Sequence, residues 1–307
     1  MTFELARVHL VEKPWGIVDI PPWLQLKSDG RSIGEIWFER PSITRVEPAL
    51  LMKLLLTSQP LSIQVHPGDA YAQSMGLVNG KTEAWYVLSA EPQSKVALGL
   101  NRKLSKHQLR AAIDDGSIKD LVSWKTVRAG EIIFVPAGTI HAIGAGLIIA
   151  EIQQRSDTTF RLFDYGRHRA LHAEQAIDVA DLGPANCVEQ PARSSSAWNL
   201  LCTNGFFSIG RLDLAAGTSW HVDAEHETWI FVLHGDALAG SRRLSQGQAA
   251  FAQQQAVDIQ AGSQGLSLLV ATSKPGVEAQ VSNGIGEKAR RANAQAPPLA
   301  ADVPRAS

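Results

Sequence analysis

The sequence predicts an all-β protein of two units with a small helical insert. Three observations predict it. From residue 1 to about 65, short apolar or alternating runs are broken at Pro14-Trp15-Gly16, Pro21-Pro22, Ser28-Asp29-Gly30 and Pro41-Ser42, the punctuation of strands joined by turns. Only residues 104–122 read clearly as helix. Past a Pro-bearing, Ser-rich join over 181–196, the strand pattern resumes in Phe206 to Leu214, Trp229 to Leu233, Gln248 to Phe251 and Leu266 to Val270. The expected units are therefore 1–185, with the insert near 104–122, and 186–285. Residues 286–307, largely Ala, Pro and Arg, have little to bury and are expected to be a disordered tail.

Taken in order, Leu50 to Leu56 is apolar in either register, and reads as a strand because a Ser-Gln-Pro turn feeds it into Leu61 to Val65. Asp69 stands where an N-cap belongs, before a short helix from Ala70 to Met75 that Gly76 and Asn79-Gly80 close. The chain returns as the strand Lys81 to Leu88, with Lys81, Glu83 and Trp85 on one face. In the insert, Leu104, Leu109 and Ile113 mark one helix, Ser117 to Val122 a second, and Asp114-Asp115-Gly116 lies between them. Then come a strand from Gly130 to Val135, a Pro136-Ala-Gly138 turn, His141, a Gly144-Ala-Gly146 turn and the apolar strand Leu147 to Ile152. A dense polar stretch follows, from Ser156 to Arg169.

Composition excludes several classes of function. The chain has 307 residues, 45% of them hydrophobic and 19% charged, with a net charge of -1. No Lys/Arg block supplies the footprint of a nucleic-acid or anionic-membrane binder, so the expected partner is a small molecule. No apolar run reaches the roughly 18 residues of a membrane span, and the N-terminus has no signal-like charge and apolar pattern. The expectation is a cytoplasmic protein, with a monomer favoured over an oligomer. Cys187 and Cys202 have no metal-like spacing, so a metal here must use N and O ligands.

Gln64 and His66 are two apart and leave one face of a strand together, with Ser62 beside them. Alone, such a pair is more often a surface His before a proline. Glu83 and His141 change the balance, because they make four N/O ligands in one predicted unit. Two His with a carboxylate are a familiar catalytic zinc set, although other divalent metals accept the same donors.

Gly130, Pro136, Gly138 and His141 stand at the spacing of the second cupin motif, with Ala145 where its terminal Asn belongs. The stretches Leu61-Ser-Ile-Gln-Val-His-Pro-Gly-Asp69, Gly80-Lys-Thr-Glu-Ala-Trp-Tyr86, Val135-Pro-Ala-Gly-Thr-Ile-His-Ala-Ile-Gly144 and Ser156-Asp-Thr-Thr-Phe-Arg161, in this order, resemble the type I mannose-6-phosphate isomerases of the short bacterial form. The resemblance covers residues 1 to about 180, and the remainder by architecture only. It implies two cupin-type jelly-roll units and a zinc-dependent aldose-ketose isomerase, interconverting mannose 6-phosphate and fructose 6-phosphate through an enediol. It further implies one Zn2+ per chain on Gln64, His66, Glu83 and His141, with Arg161 as the active-site arginine. Lys81 and Glu151 would take catalytic places, and Ser62 and Arg167 would bind the sugar phosphate. Two departures are Ala84, where many relatives have Cys, and the missing helical domain of the larger members. The rivals are an isomerase of this fold for another or an unphosphorylated aldose, and a metal-retaining cupin that binds sugar without turning it over. His221, His226 and His234 invite a second metal site. Counting back from Gly235, however, the cupin glutamate position falls on Thr228, and none is expected.

Overall fold

Period-two alternation along the long strands sorts their side chains between a core shared by both units and the inside of one barrel. In the computed structural model, which describes residues 2–42, 47–185, 193–194 and 197–273, the strand Leu50–Thr57 sends Leu50, Met52, Leu54 and Leu56 to the shared core. It sends Leu55 inward. Both faces are covered, which is why this run carries no polar alternation. The neighbouring strands Leu147–Gln154 and Glu83–Ala90 divide in the same way, with Ala150, Ile152, Ala84 and Tyr86 facing the shared core and Ile149, Trp85 and Val87 facing inward.

Two antiparallel sheets form the first barrel. The larger runs Arg7–Ile17, Ile33–Glu39, Leu50–Thr57, Leu147–Gln154, Glu83–Ala90 and Ile132–Val135. The smaller runs Phe160–Phe163, Ile63–Val65, His141–Ile143, Lys95–Leu100 and Val122–Thr126. Val96 and Ile143 from the second sheet, with Leu61 just before its Ile63–Val65 strand, meet Leu55, Trp85 and Ile149 from the first, the face-to-face packing of a cupin-type jelly roll. A third sheet of nine strands builds the second unit, whose own core includes Trp220, Val232, Leu244 and Ile259. Its other face, with Phe207, Trp229, Phe231 and Phe251, closes the shared core against the larger sheet. We propose that the units divide at about residue 185, with one exchange: the first strand, Thr2–Leu5, pairs with Ala249–Gln253 in the second unit's sheet. The proposed tail and Cys187 lie outside the described residues. Cys202 is buried in the shared core, and burial pushes its thiol up to about 12, so it is no nucleophile.

The insert folds as two helices, Lys106–Asp114 and Ile118–Leu121, and the chain turns extended at Val122. Ser105 and Gln108 form a capping box at the first, and Leu109, Ala112 and Ile113 pack on the outer face of the smaller sheet. A helix at Ala173–Val179, which the sequence pattern does not bring out, packs there as well. Asp69 corrects an expectation. It is the first residue of the helix Asp69–Ser74 rather than its cap, and its Oδ1 accepts from Gly80 N at 2.8 Å and Gln154 Nε2 at 2.9 Å. A Cβ on Gly80 would stand 2.6 Å from the Pro67 carbonyl oxygen, so the turn leading into Lys81 admits only glycine. Among the described residues no helix is long and apolar enough to cross a membrane.

The second unit repeats a detail of the first. Trp85 Nε1 donates to Glu83 Oε1 at 3.0 Å, and Trp229 Nε1 donates to Glu227 Oε1 at 3.0 Å. The repeat's glutamate is therefore Glu227, one residue from the Thr228 reached by counting back from Gly235. Its carboxylate accepts from the backbone N–H groups of Ala49 and Leu50 and so ties the second unit to the start of the Leu50–Thr57 strand. A Gln there turns an NH2 toward one of these donors and strands it. Glu227→Gln is expected to cost about 1–3 kcal/mol of stability in urea unfolding, while bound metal stays constant. An unchanged midpoint would refute the tie.

Candidate metal centre and active-site cavity

Three buried side chains converge where the two sheets of the first barrel face each other. His66, Glu83 and His141 each offer a ligand atom within 4.8 Å of the others, and none is more than 1% exposed. Sheet register does part of this work, since His141 and Arg161 stand on either side of Gln64 in adjacent strands. Main-chain carbonyls orient both rings: His66 Nδ1 donates to Thr158 O at 2.9 Å, and His141 Nδ1 donates to Thr139 O at 2.8 Å. That fixes the tautomer and turns each Nε2 lone pair toward Glu83, at 3.4 Å in both cases. Gly138, at a φ of +90°, sets the turn before His141, and its N–H bonds to His66 O.

Electrostatics keep these groups in metal-binding forms. Burial lowers both imidazoles below the usual His range, with Lys81 and His141 adding to the effect at His66, so both stay neutral. Burial alone would raise the Glu83 carboxyl, but Lys81 and His141 outweigh it and lower it to about 2. The Lys81 ammonium contacts Glu83 Oε2 and lies 2.8 Å from His66 Nε2. The donor set thus already gathers around a positive charge, and a metal ion taken up here competes with that ammonium. Two neutral imidazoles and a carboxylate, with their outer nitrogens satisfied, fit a divalent ion. Gln64 adjoins them. Its Nε2 is 3.2 Å from His141 Nε2 and its Oε1 accepts from Ser62 Oγ at 3.0 Å, and a half-turn of the amide presents the oxygen instead.

From this centre a row of alternating charges crosses the larger sheet. Lys81 Nζ is 3.6 Å from Glu151 Oε1, Glu151 Oε2 is 3.0 Å from Lys53 Nζ, and Lys13 Nζ is 3.1 Å from Glu35 Oε1. Lys53 and Glu151 face each other directly in register. Burial works against the Lys53 charge, but Glu151 and Glu35 override it and raise the ammonium's pKa. Burial likewise works against Glu35, which Lys53 and Lys13 hold below the usual carboxylate range.

Ser62, Gln64, Lys81, Glu83, Glu151 and Arg161 all line one cavity. Arg161 has one long contact, from NH1 to Ala170 O at 3.4 Å, and its buried Nε has no protein partner. Arg167 departs from the expectation. Its guanidinium bonds to Asp164 and to Pro60 O at 2.6 Å, outside the cavity lining, and Arg169 lines the cavity in its place. Tyr165, Gly166 and His168, all at positive φ, turn the loop that carries the two arginines, and the later one faces inward. Sequence reasoning also passed over Lys13, Trp15, Glu35, Lys53, Asp157 and His172, all of which line the cavity. One signal was legible: a lone Lys53 inside an apolar strand calls for a buried partner.

No protein-family model matches the chain. It is 37% identical over 217 residues to the mannose-6-phosphate isomerase of Streptococcus mutans serotype c, across 66% of this chain and 65% of that protein. It is 34% identical over 230 residues to a Bacillus subtilis protein named "Probable mannose-6-phosphate isomerase GmuF", across 70% of each. The chain belongs to the mannose-6-phosphate isomerase family. The matched stretch thus spans just under two thirds of the Streptococcus mutans member. The crystal structure of the mannose 6-phosphate isomerase from Bacillus subtilis superposes with a TM-score of 0.77 at 23% identity, over 88% of this chain and 99% of that one. Family membership and the cupin-type fold thus agree.

Proposed function

We propose that this protein is a zinc-dependent aldose-ketose isomerase that interconverts mannose 6-phosphate and fructose 6-phosphate through an enediol. The observation that carries the reading is one cavity lined by Gln64 and Glu83, a buried Lys81–Glu151 pair and the poorly partnered guanidinium of Arg161, with His66 and His141 each 3.4 Å from Glu83. Gln64, His66, Glu83 and His141 would hold the ion, which when bound supplies Lewis-acid polarisation of the sugar's carbonyl and hydroxyl oxygens. Lys81 and Glu151 are the proton carriers for the transfer between C1 and C2, because each lies within reach of the other and of the donor set. Arg161 supplies fixed donors to the oxygen that gains charge. Ser62 orients the Gln64 amide.

Lys13 and Arg169 supply cationic groups at the cavity wall for a phosphate. Charge-assisted bonds to phosphate are worth roughly 1.5–3 kcal/mol each. A coupled assay for fructose 6-phosphate should therefore give mannose 6-phosphate a kcat/KM at least roughly a thousandfold above that of mannose. Use of free mannose within about tenfold of its phosphate would replace this reading with that of a neutral-sugar isomerase. Binding of both without turnover would leave a sugar-binding cupin.

A further inference from the structure

His172 follows the polar stretch that carries Arg161 and lines the same cavity. The Arg161 backbone N–H donates to His172 Nδ1 at 3.2 Å, and the His172 backbone N–H donates to Arg161 O at 2.8 Å. His172 is thereby laid against Arg161 as the next strand of the sheet would be. Successive strands stand roughly 4.8 Å apart, so a row runs from His141 through Gln64 and Arg161 to His172, leading away from the metal donors. Because Nδ1 accepts a hydrogen bond, the ring proton sits on Nε2, the edge left for the cavity. Burial, and then the Arg161 charge, lower this imidazole below the usual His range, in keeping with that neutral form. The Phe160 ring, 6.2 Å away, flanks it, and Asp157 and Arg169 are the other charged groups on this side of the cavity. Asp164 accepts from Arg169 at both Nε and NH2, which leaves that guanidinium only part of its donors.

We propose that His172 is a substrate-contact residue whose Nε2–H donates to the phosphate of the bound sugar phosphate, beside Arg161. The assignment rests on the isomerase reading for the direction in which the substrate lies, with the carbonyl end at the metal donors and the phosphate at the far end of the row. A neutral donor locked in one tautomer selects for an acceptor-only oxygen such as phosphate presents, and it adds no further charge to a wall that already carries two arginines.

The test separates contact from scaffolding. Asn at 172 can accept from the Arg161 N–H but is too short to reach the cavity, whereas Gln can place an amide N–H where Nε2 stood. In the metal-loaded full chain, His172→Asn should raise KM for mannose 6-phosphate by about tenfold or more, with the loss falling on KM rather than kcat, and His172→Gln should recover part of it. An unchanged KM in His172→Asn overturns the assignment, as does a loss in His172→Gln equal to that in His172→Asn. Calorimetric titration with mannose 6-phosphate and with inorganic phosphate needs no turnover. If the wild type does not isomerise but binds these ligands at least about tenfold more tightly than His172→Asn, the isomerase reading falls and the contact stands. If an active wild type and His172→Asn bind them equally, the contact falls and the isomerase stands. Failure of the wild type to bind either ligand removes the contact as well.

Discussion

His141→Ala protein is expected to retain less than about a tenth of the divalent metal measured in the wild type, and to lose isomerase turnover with it. The ring it removes is fully buried, oriented by the Thr139 carbonyl, and 3.4 Å from Glu83. The remaining donors then face an uncompensated gap in a site tuned for a cation. Because a buried His→Ala change also leaves a cavity, His141→Gln serves as the control, keeping bulk and polarity while offering a poorer donor. Elemental analysis reads the metal, and circular dichroism reads the fold. Stoichiometric metal in a folded His141→Ala protein would remove His141 from the centre. Exhaustive chelation of the wild type should abolish turnover, and full activity after it would remove the metal from the reaction.

Arg161→Ala is expected to fold, to bind metal as the wild type does, and to lose at least about a hundredfold in kcat. Little in the protein depends on this side chain. Its Nε is buried without a protein partner and its one contact is long, so truncation removes few structural bonds. What it would lose is a planar fork of donors aimed into the cavity, in place before charge develops on the substrate. Lys is not expected to rescue the rate, because a compact ammonium cannot present two parallel N–H groups. A near-normal kcat with only a raised KM would move Arg161 from stabilising charge to binding.

Spacing brought Gln64, His66, Glu83 and His141 forward, and these side chains do meet in the barrel. Such residues are legible because a strand ties two side chains together at period two, so that Gln64 and His66 declare themselves as a pair. Lys53 stands out in its apolar run, but its partner does not. A run whose faces are both covered looks uniformly apolar, and only the pairing with Glu151 across two strands shows why a lysine is tolerated there. Arg167 and Arg169 are two residues apart in one loop. Which of them faces the cavity goes with a loop that holds three residues at positive φ, a backbone choice that composition does not record.

By itself, then, the sequence determined the strand-and-turn class of the fold, the helical insert and the donor types of the candidate site. Each of these is written in local periods, turn residues and donor types. Tertiary structure alone decided that the first strand joins the second unit's sheet, that Glu227 grips the start of the Leu50–Thr57 strand, and that Lys13, Glu35, Lys53 and His172 share a cavity with Gln64 and Glu83. Those facts depend on which strands lie side by side. Antiparallel pairing brings together residues tens to hundreds of positions apart, and nothing in either local stretch specifies its distant partner.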